Sequence, residues 1–230
     1  MTEKKPIKGS QLCMLRLIND TKATQKVAEE IGVDGIEWKS PNVAGGKIKE
    51  NCLDKNMQKE LWPQRKGKSI DFSWWPSSGK KPQWDAIGIS NDGTVILIEA
   101  KAHPKEMISA CSAKEKSRLK IYKTMNDVQR MHFKGCKNFD EIWMNKYYQL
   151  ANRLTFFVKL TEEENLNIKL VFLSFFNDNT HIQKNKSEFC SENKKVFEKV
   201  IGAKEFLDEN ICSIYFDAGD LSELPKEVLI

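Results

Sequence analysis

Nowhere in the 230 residues is there a run of about eighteen apolar side chains, so no segment reads as a membrane-spanning helix. The opening MTEKKPIKGSQ is too polar to supply a signal-peptide core, and the expectation is a soluble, cytoplasmic protein with no membrane partner. Six cysteines (Cys13, Cys52, Cys111, Cys136, Cys190, Cys212) include no C-x-x-C pair and have no histidine nearby at zinc-ligand spacing. That argues for buried or idle thiols in a reducing compartment. Also missing are G-x-x-x-x-G-K-[ST], H-E-x-x-H and G-x-S-x-G, which removes the motifs of ATP hydrolysis, zinc proteolysis and serine-esterase chemistry. With no internal repeat or low-complexity linker, and with 40% apolar residues, the chain reads as one domain over 1–230.

The net charge of +5 is modest but unevenly placed. Nine Lys/Arg stand against four Asp/Glu between Lys47 and Lys81, and eight against three between Lys105 and Lys134, so the remainder is acidic. On charge alone, solvated helix faces are the simpler reading. The alternative is a phosphate-facing rim on either side of residues 82–104.

Hydrophobic periodicity predicts helix over 11–31, interrupted at Asp20-Thr21, then a loop marked by Ser40-Pro41 and Gly45-Gly46. A helix is expected from Lys47 to Leu61, stopped by Pro63, followed by a strand at Ile70–Trp74. Two further strands, Trp84–Ser90 and Thr94–Ala102, flank Asn91-Asp92-Gly93, a hairpin signal because Gly93 can take a positive φ. Residues 104–134 read as basic and helical, 142–160 as a strong helix, 168–176 as an apolar strand, 188–201 as helix and 211–216 as a last strand. The order implies an α/β fold with a mixed central sheet packed between helices.

The hairpin's register decides what its charged residues can do. With a three-residue loop, Ser90 pairs with Thr94 and Asp85 lies directly opposite Glu99. Opposed residues share a face with Cβ atoms about 5 Å apart, and Lys101 follows on that face. A two-residue loop would separate the carboxylates onto opposite faces. Carboxylates this close repel unless a positive charge lies between them. A hard divalent cation fits: it takes carboxylate oxygens, keeps waters and leaves room for a phosphate. It also lowers the pKa of a bound water. Lys101 would then hold the attacking water or stabilise charge developing on phosphorus. The bland alternative is a structural carboxylate–lysine pair on an exposed face. Against it, Ile87, Ile89, Val95 and Leu97 share the same row, which puts the charges at the end of an apolar stripe.

Trp84-Asp85, the hairpin and Ile98-Glu99-Ala100-Lys101 together resemble the PD-(D/E)XK nuclease superfamily, in which an Asp ending one strand and an E-x-K on the next bind Mg²⁺ and cleave phosphodiesters. Trp75-Pro76, Pro82-Gln83-Trp84-Asp85-Ala86, Glu99-Ala100-Lys101-Ala102-His103 and Tyr147-Tyr148-Gln149-Leu150-Ala151-Asn152-Arg153-Leu154 are similar to an uncharacterised bacterial subgroup of it. The likeness covers about 36–180, leaving an N-terminal helical and a C-terminal helix-strand addition; tryptophan rather than proline precedes Asp85. It implies a restriction-endonuclease-like mixed sheet flanked by helices and a Mg²⁺- or Mn²⁺-dependent nuclease acting on nucleic acid, DNA ahead of RNA, with a homodimer compatible. It also implies Asp85 and Glu99 as metal ligands, the Ala100 carbonyl as a further oxygen, and an extra acid from the preceding helix, with Glu50 first and Glu60 second.

Gln149, Asn152 and Arg153 share a helix stripe and could reach substrate phosphates or hold the site carboxylates; a plain polar flank is the alternative. His103 could touch substrate or sit at a surface strand end. Trp62, Trp74, Trp75 and Trp84 could stack unpaired bases, although core packing is the commoner use. Two other functional classes remain beside the nuclease. One is a catalytically silent module that binds nucleic acid or protein. The other is a Cys-His hydrolase built on Cys111 with His103 or His132.

Overall fold

The computed structural model describes residues 7–44, 47–49, 52–66, 68–77, 81–180, 183–206 and 208–224. Two helices, α1 (Ser10–Ile18) and α2 (Thr21–Ile31), open it. They separate at Asp20, whose carboxylate accepts the Lys22 and Ala23 N–H groups and so caps α2. A short strand β1 (Glu37–Ser40) follows, then a small hairpin of β2 (Asn42–Ala44) and β3 (Lys47–Lys49). The helix expected from Lys47 is therefore strand at its start. Helix α3 spans only Lys55–Leu61, where Asp54 accepts from the Asn56 and Met57 amides. A well-formed cap outweighs the apolar spacing that suggested an earlier beginning.

No strand forms at Ile70–Trp74, because side chains take the backbone donors a neighbouring strand would need. The Ile70 N–H donates to Gln58 Oε1 (2.8 Å), Asp71 N–H to Glu164 Oε1 (3.1 Å) and Ser73 N–H to Asp71 Oδ1 (2.7 Å). Strands β4 (Ala86–Ile89) and β5 (Val95–Lys101) do form the expected hairpin, pairing Ala86 with Ile98 through to Ile89 with Val95. Gly93 has φ 84°, and the Ser90 and Gly93 amides donate to the Thr94 and Ser90 carbonyls at 2.9 Å. The loop is the three-residue one.

The basic segment is a single turn at Pro104–Met107, an irregular stretch, then helix α4 (Glu115–His132). The irregular part lies alongside residues 144–147, with Ser109 N–H donating to the Lys146 carbonyl and Cys111 N–H to that of Met144, each at 2.8 Å. Helix α5 (Tyr148–Val158) is flanked by π-turns at Asp140–Met144 and Lys159–Glu163. Strand β6 (Ile168–Phe176), helix α6 (Lys186–Ile201) and strand β7 (Ile211–Asp217) complete the order.

The five-stranded sheet runs β1-β4-β5-β6-β7, antiparallel from β1 to β5 and parallel from β5 to β7. Helices α1 and α2 pack on the face bearing Ile96, Ile98 and Ala100, while α3 to α6 cover the face bearing Ile87, Val95 and Leu97. Position 88 on β4 is glycine, which leaves room for the Ile36 and Trp38 side chains: a Cβ there would lie 2.6 Å from Ile36 Cγ2 and 3.0 Å from Trp38 Cε3. Among the described residues no helix is long and apolar enough to cross a membrane.

Gly93 sets the register that brings the charged residues together, and an added Cβ there would meet nothing within 4 Å. Gly93→Ala should therefore cost about 1–2 kcal/mol from backbone strain alone, read as a lower urea midpoint at unchanged m-value.

Candidate functional site

The β4–β5 register is regular as far as Ala86–Ile98; Asp85 lies at a bend just beyond it and interacts electrostatically with Lys101. The Asp85 N–H donates to the Ile98 carbonyl at 3.1 Å, and its Oδ2 accepts the Ala100 N–H at 2.7 Å. The Asp85 carboxylate thus extends the ladder beyond the last strand residue of β4.

Glu99 sits in a strand otherwise apolar up to Ala100 and is 3% exposed. Its Oε1 accepts from the Lys101 ammonium and its Oε2 from Arg153 Nε at 2.7 Å. Burial alone would raise the Glu99 pKa; Arg153 and Lys101 beside it reverse this and hold the carboxyl below the usual range. Burial likewise opposes the charge on Lys101, but Glu99 and then Asp85 keep its pKa above the ordinary lysine value. Arg153, 4% exposed, also donates to Asn152 Oδ1 at 3.0 Å and to the Gln83 carbonyl, and its guanidinium carbon lies 4.5 Å from the Trp84 ring centroid. Arg153 therefore holds the buried Glu99 carboxylate.

Asp85, Gln149, Asn152 and Arg153 line one cleft of about 850 Å³, whose walls carry Lys81 and Lys114. Glu99 and Lys101 lie behind it, on a cavity of about 20 Å³ bordered by Gln149, Ser174 and Asn193. Gln149 lines both. Tyr148, in the cleft wall, has its phenol pushed well above the ordinary value by burial and by Cys111, so it faces the cleft as a protonated hydroxyl.

Glu50 lies outside the described residues. Glu60 is a half-exposed surface carboxylate 3.6 Å from Lys39. His103 is buried, not at the surface, and its Nδ1 accepts the Lys105 N–H at 3.1 Å, capping the turn that follows β5. Trp62, Trp75 and Trp84 are buried, Trp75 also lining the cleft, and the half-buried Trp74 packs edge-on to Phe156 with centroids 4.8 Å apart. Cys111 neighbours Tyr148, and His132 pairs with Glu162 at 3.3 Å. The sequence reading missed the Gln83 carbonyl, Ser174 and Asn193. Ser174 is the polar break in the apolar row of β6, and Asn193 Nδ2 donates to its Oγ at 2.9 Å.

Among the described residues no group of three or more His, Cys, Asp or Glu side chains could hold a metal ion. The oxygen donors here are the carboxylates of Asp85, at the bend before β4, and Glu99 on β5. That set suits a hard cation. The Lys101 ammonium interacts with both carboxylates, however, so the positive charge they need is already present. Both Glu99 oxygens and Asp85 Oδ2 are already hydrogen-bonded, to Lys101, Arg153 and the Ala100 N–H.

The stability drawn from Glu99 follows from its lowered pKa. The unfolded chain takes up the proton near pH 4.3, roughly the ordinary value, while the folded chain takes it up only at lower pH. The contribution is complete above the unfolded value and is lost as pH falls through the folded one. Glu99→Gln should lose about 3–5 kcal/mol at neutral pH by leaving buried cations unpaired. The gap to wild type should narrow below about pH 4 in urea denaturation. Comparison with protein-family models, with curated proteins and with solved structures finds no match for this chain.

Proposed function

We propose that the chain is a metal-dependent nuclease hydrolysing phosphodiester bonds, DNA ahead of RNA, with its sheet as a restriction-endonuclease-like core. The observation that carries this is the Lys101 ammonium placed between two carboxylates at the end of one hairpin, bonded to Glu99 and interacting with Asp85, with Asp85 opening into a cleft walled by Lys81 and Lys114. The resemblance of Trp84-Asp85 and Glu99-Ala100-Lys101 to the PD-(D/E)XK pattern supports the same reading.

In this reading Asp85, Glu99 and the Ala100 carbonyl would hold Mg²⁺ or Mn²⁺, which supplies Lewis acidity and an acidified water when bound. The protein's own groups do the rest. Lys81 and Lys114 hold phosphates flanking the scissile one in the cleft. Lys101, freed from Glu99, turns its ammonium on charge developing at phosphorus. Tyr148, kept protonated, and Gln149 donate hydrogen bonds from the cleft wall.

The pairing of both Glu99 oxygens favours a second reading, a silent nucleic-acid-binding module that keeps the charged residues for structure. Incubation with single- and double-stranded DNA and RNA in Mg²⁺, Mn²⁺ or EDTA separates the two. The nuclease reading expects cleavage that EDTA abolishes and that Asp85→Ala loses together with Mn²⁺ binding. Lys101→Ala should keep Mn²⁺ binding while losing about 10²- to 10³-fold in rate. Salt-dependent binding without cleavage in any ion would overturn it in favour of the module.

A further inference from the structure

Arg153 connects two parts of the chain that must be placed accurately relative to each other. Its Nε binds Glu99 on β5, and another guanidinium nitrogen binds the Gln83 carbonyl, two residues before Asp85. The next residue, Trp84, is fully buried and presents its ring to the guanidinium at 4.5 Å. Asn152 Oδ1 takes a third contact at 3.0 Å. One planar group therefore reaches the lead-in to one carboxylate and the other carboxylate itself.

We infer that Arg153 is a positioning residue that fixes Asp85 and Glu99 relative to one another, with Trp84 as its platform. This rests on the reading of Asp85 and Glu99 as the site's paired carboxylates. Three features separate it from a substrate-binding role. Arg153 is 4% exposed; each of its three nitrogens already donates to a protein acceptor, Glu99, Asn152 or Gln83; and turning to a substrate phosphate would strip Glu99 of one of its two cations. A lysine could not do the same work. Its compact ammonium lacks the planar fork that meets several acceptors in fixed directions while lying against an aromatic face. Trp84 contributes a flat, immobile surface that a residue with a smaller side chain would not provide.

The Ala100 amide reports the placement directly, because it donates to Asp85 Oδ2 at 2.7 Å. The Ile96 amide, in the part of β5 paired with Gly88, serves as the internal reference. Hydrogen exchange at both amides is measured in wild type, Arg153→Lys and Trp84→Phe, with Mn²⁺ affinity by calorimetry alongside. Arg153→Lys should speed exchange at Ala100 about tenfold or more relative to Ile96, and should weaken Mn²⁺ by roughly 10- to 100-fold, as loss of a group orienting a ligand does. Trp84→Phe should shift both in the same direction by less. Should Arg153→Lys fail to fold, Trp84→Phe alone decides. An unchanged ratio of the two exchange rates, or equal acceleration at both amides, overturns the inference, the second because Arg153 would then merely hold the fold. If wild type takes no Mn²⁺, the metal-dependent reading falls while the exchange ratio still decides the positioning role.

Discussion

A carboxylate inside the central strand of the sheet has to be neutralised, and the rest of the site is arranged around that requirement. Glu99 is removed from water by the strands on either side and by the helices over its face, and an isolated charge there would be driven to protonate. Two cations prevent it, one from its own strand and one from α5, some fifty residues later in the chain. Each also neighbours Asp85 or the chain leading to it, so the four charged groups sum to zero within one cluster. Such sets are sensitive to removal of a single member because the remaining charges stay buried.

The sheet places this set where its strand directions change. β5 is antiparallel to β4 and parallel to β6, and the charged residues lie at its C-terminal end. Parallel strands with helical crossovers leave that end free of hairpins, which is why α/β proteins commonly bind ligands there. Here the cleft opens between the chain leading into β4, the segment before α4, and the start of α5.

Local chemistry determined what could be read ahead of the structure. The hairpin register was legible because a glycine with positive φ and a three-residue loop leave few alternatives, and the pairing runs as expected from Ser90–Thr94 to Ala86–Ile98, with Asp85 at a bend just beyond it. The break at Asp20 and the full length of β6 were legible for the same kind of reason, a cap and an uninterrupted apolar run. The segments that went astray depend on distant partners. Ile70–Trp74 has strand-like alternation, but Gln58 and Glu164 take its amides. β1 is four residues long and carries three polar side chains, so nothing in it announces an edge strand. The helix stripe of Gln149, Asn152 and Arg153 was visible, yet which of them turned to Glu99 was decided by Trp84 and Gln83, well away in sequence.

The contact between the Lys101 ammonium and Glu99 also sets a threshold. The ammonium is tethered two residues from the carboxylate, so its effective concentration is on the millimolar scale or higher and cannot be diluted. Any free cation entering between Asp85 and Glu99 competes with this built-in ligand, and its apparent affinity is lowered by the fraction of time the lysine spends elsewhere. A cation would reach these carboxylates only by displacing a tethered amine, and monovalent ions at ordinary concentrations would be the weakest competitors.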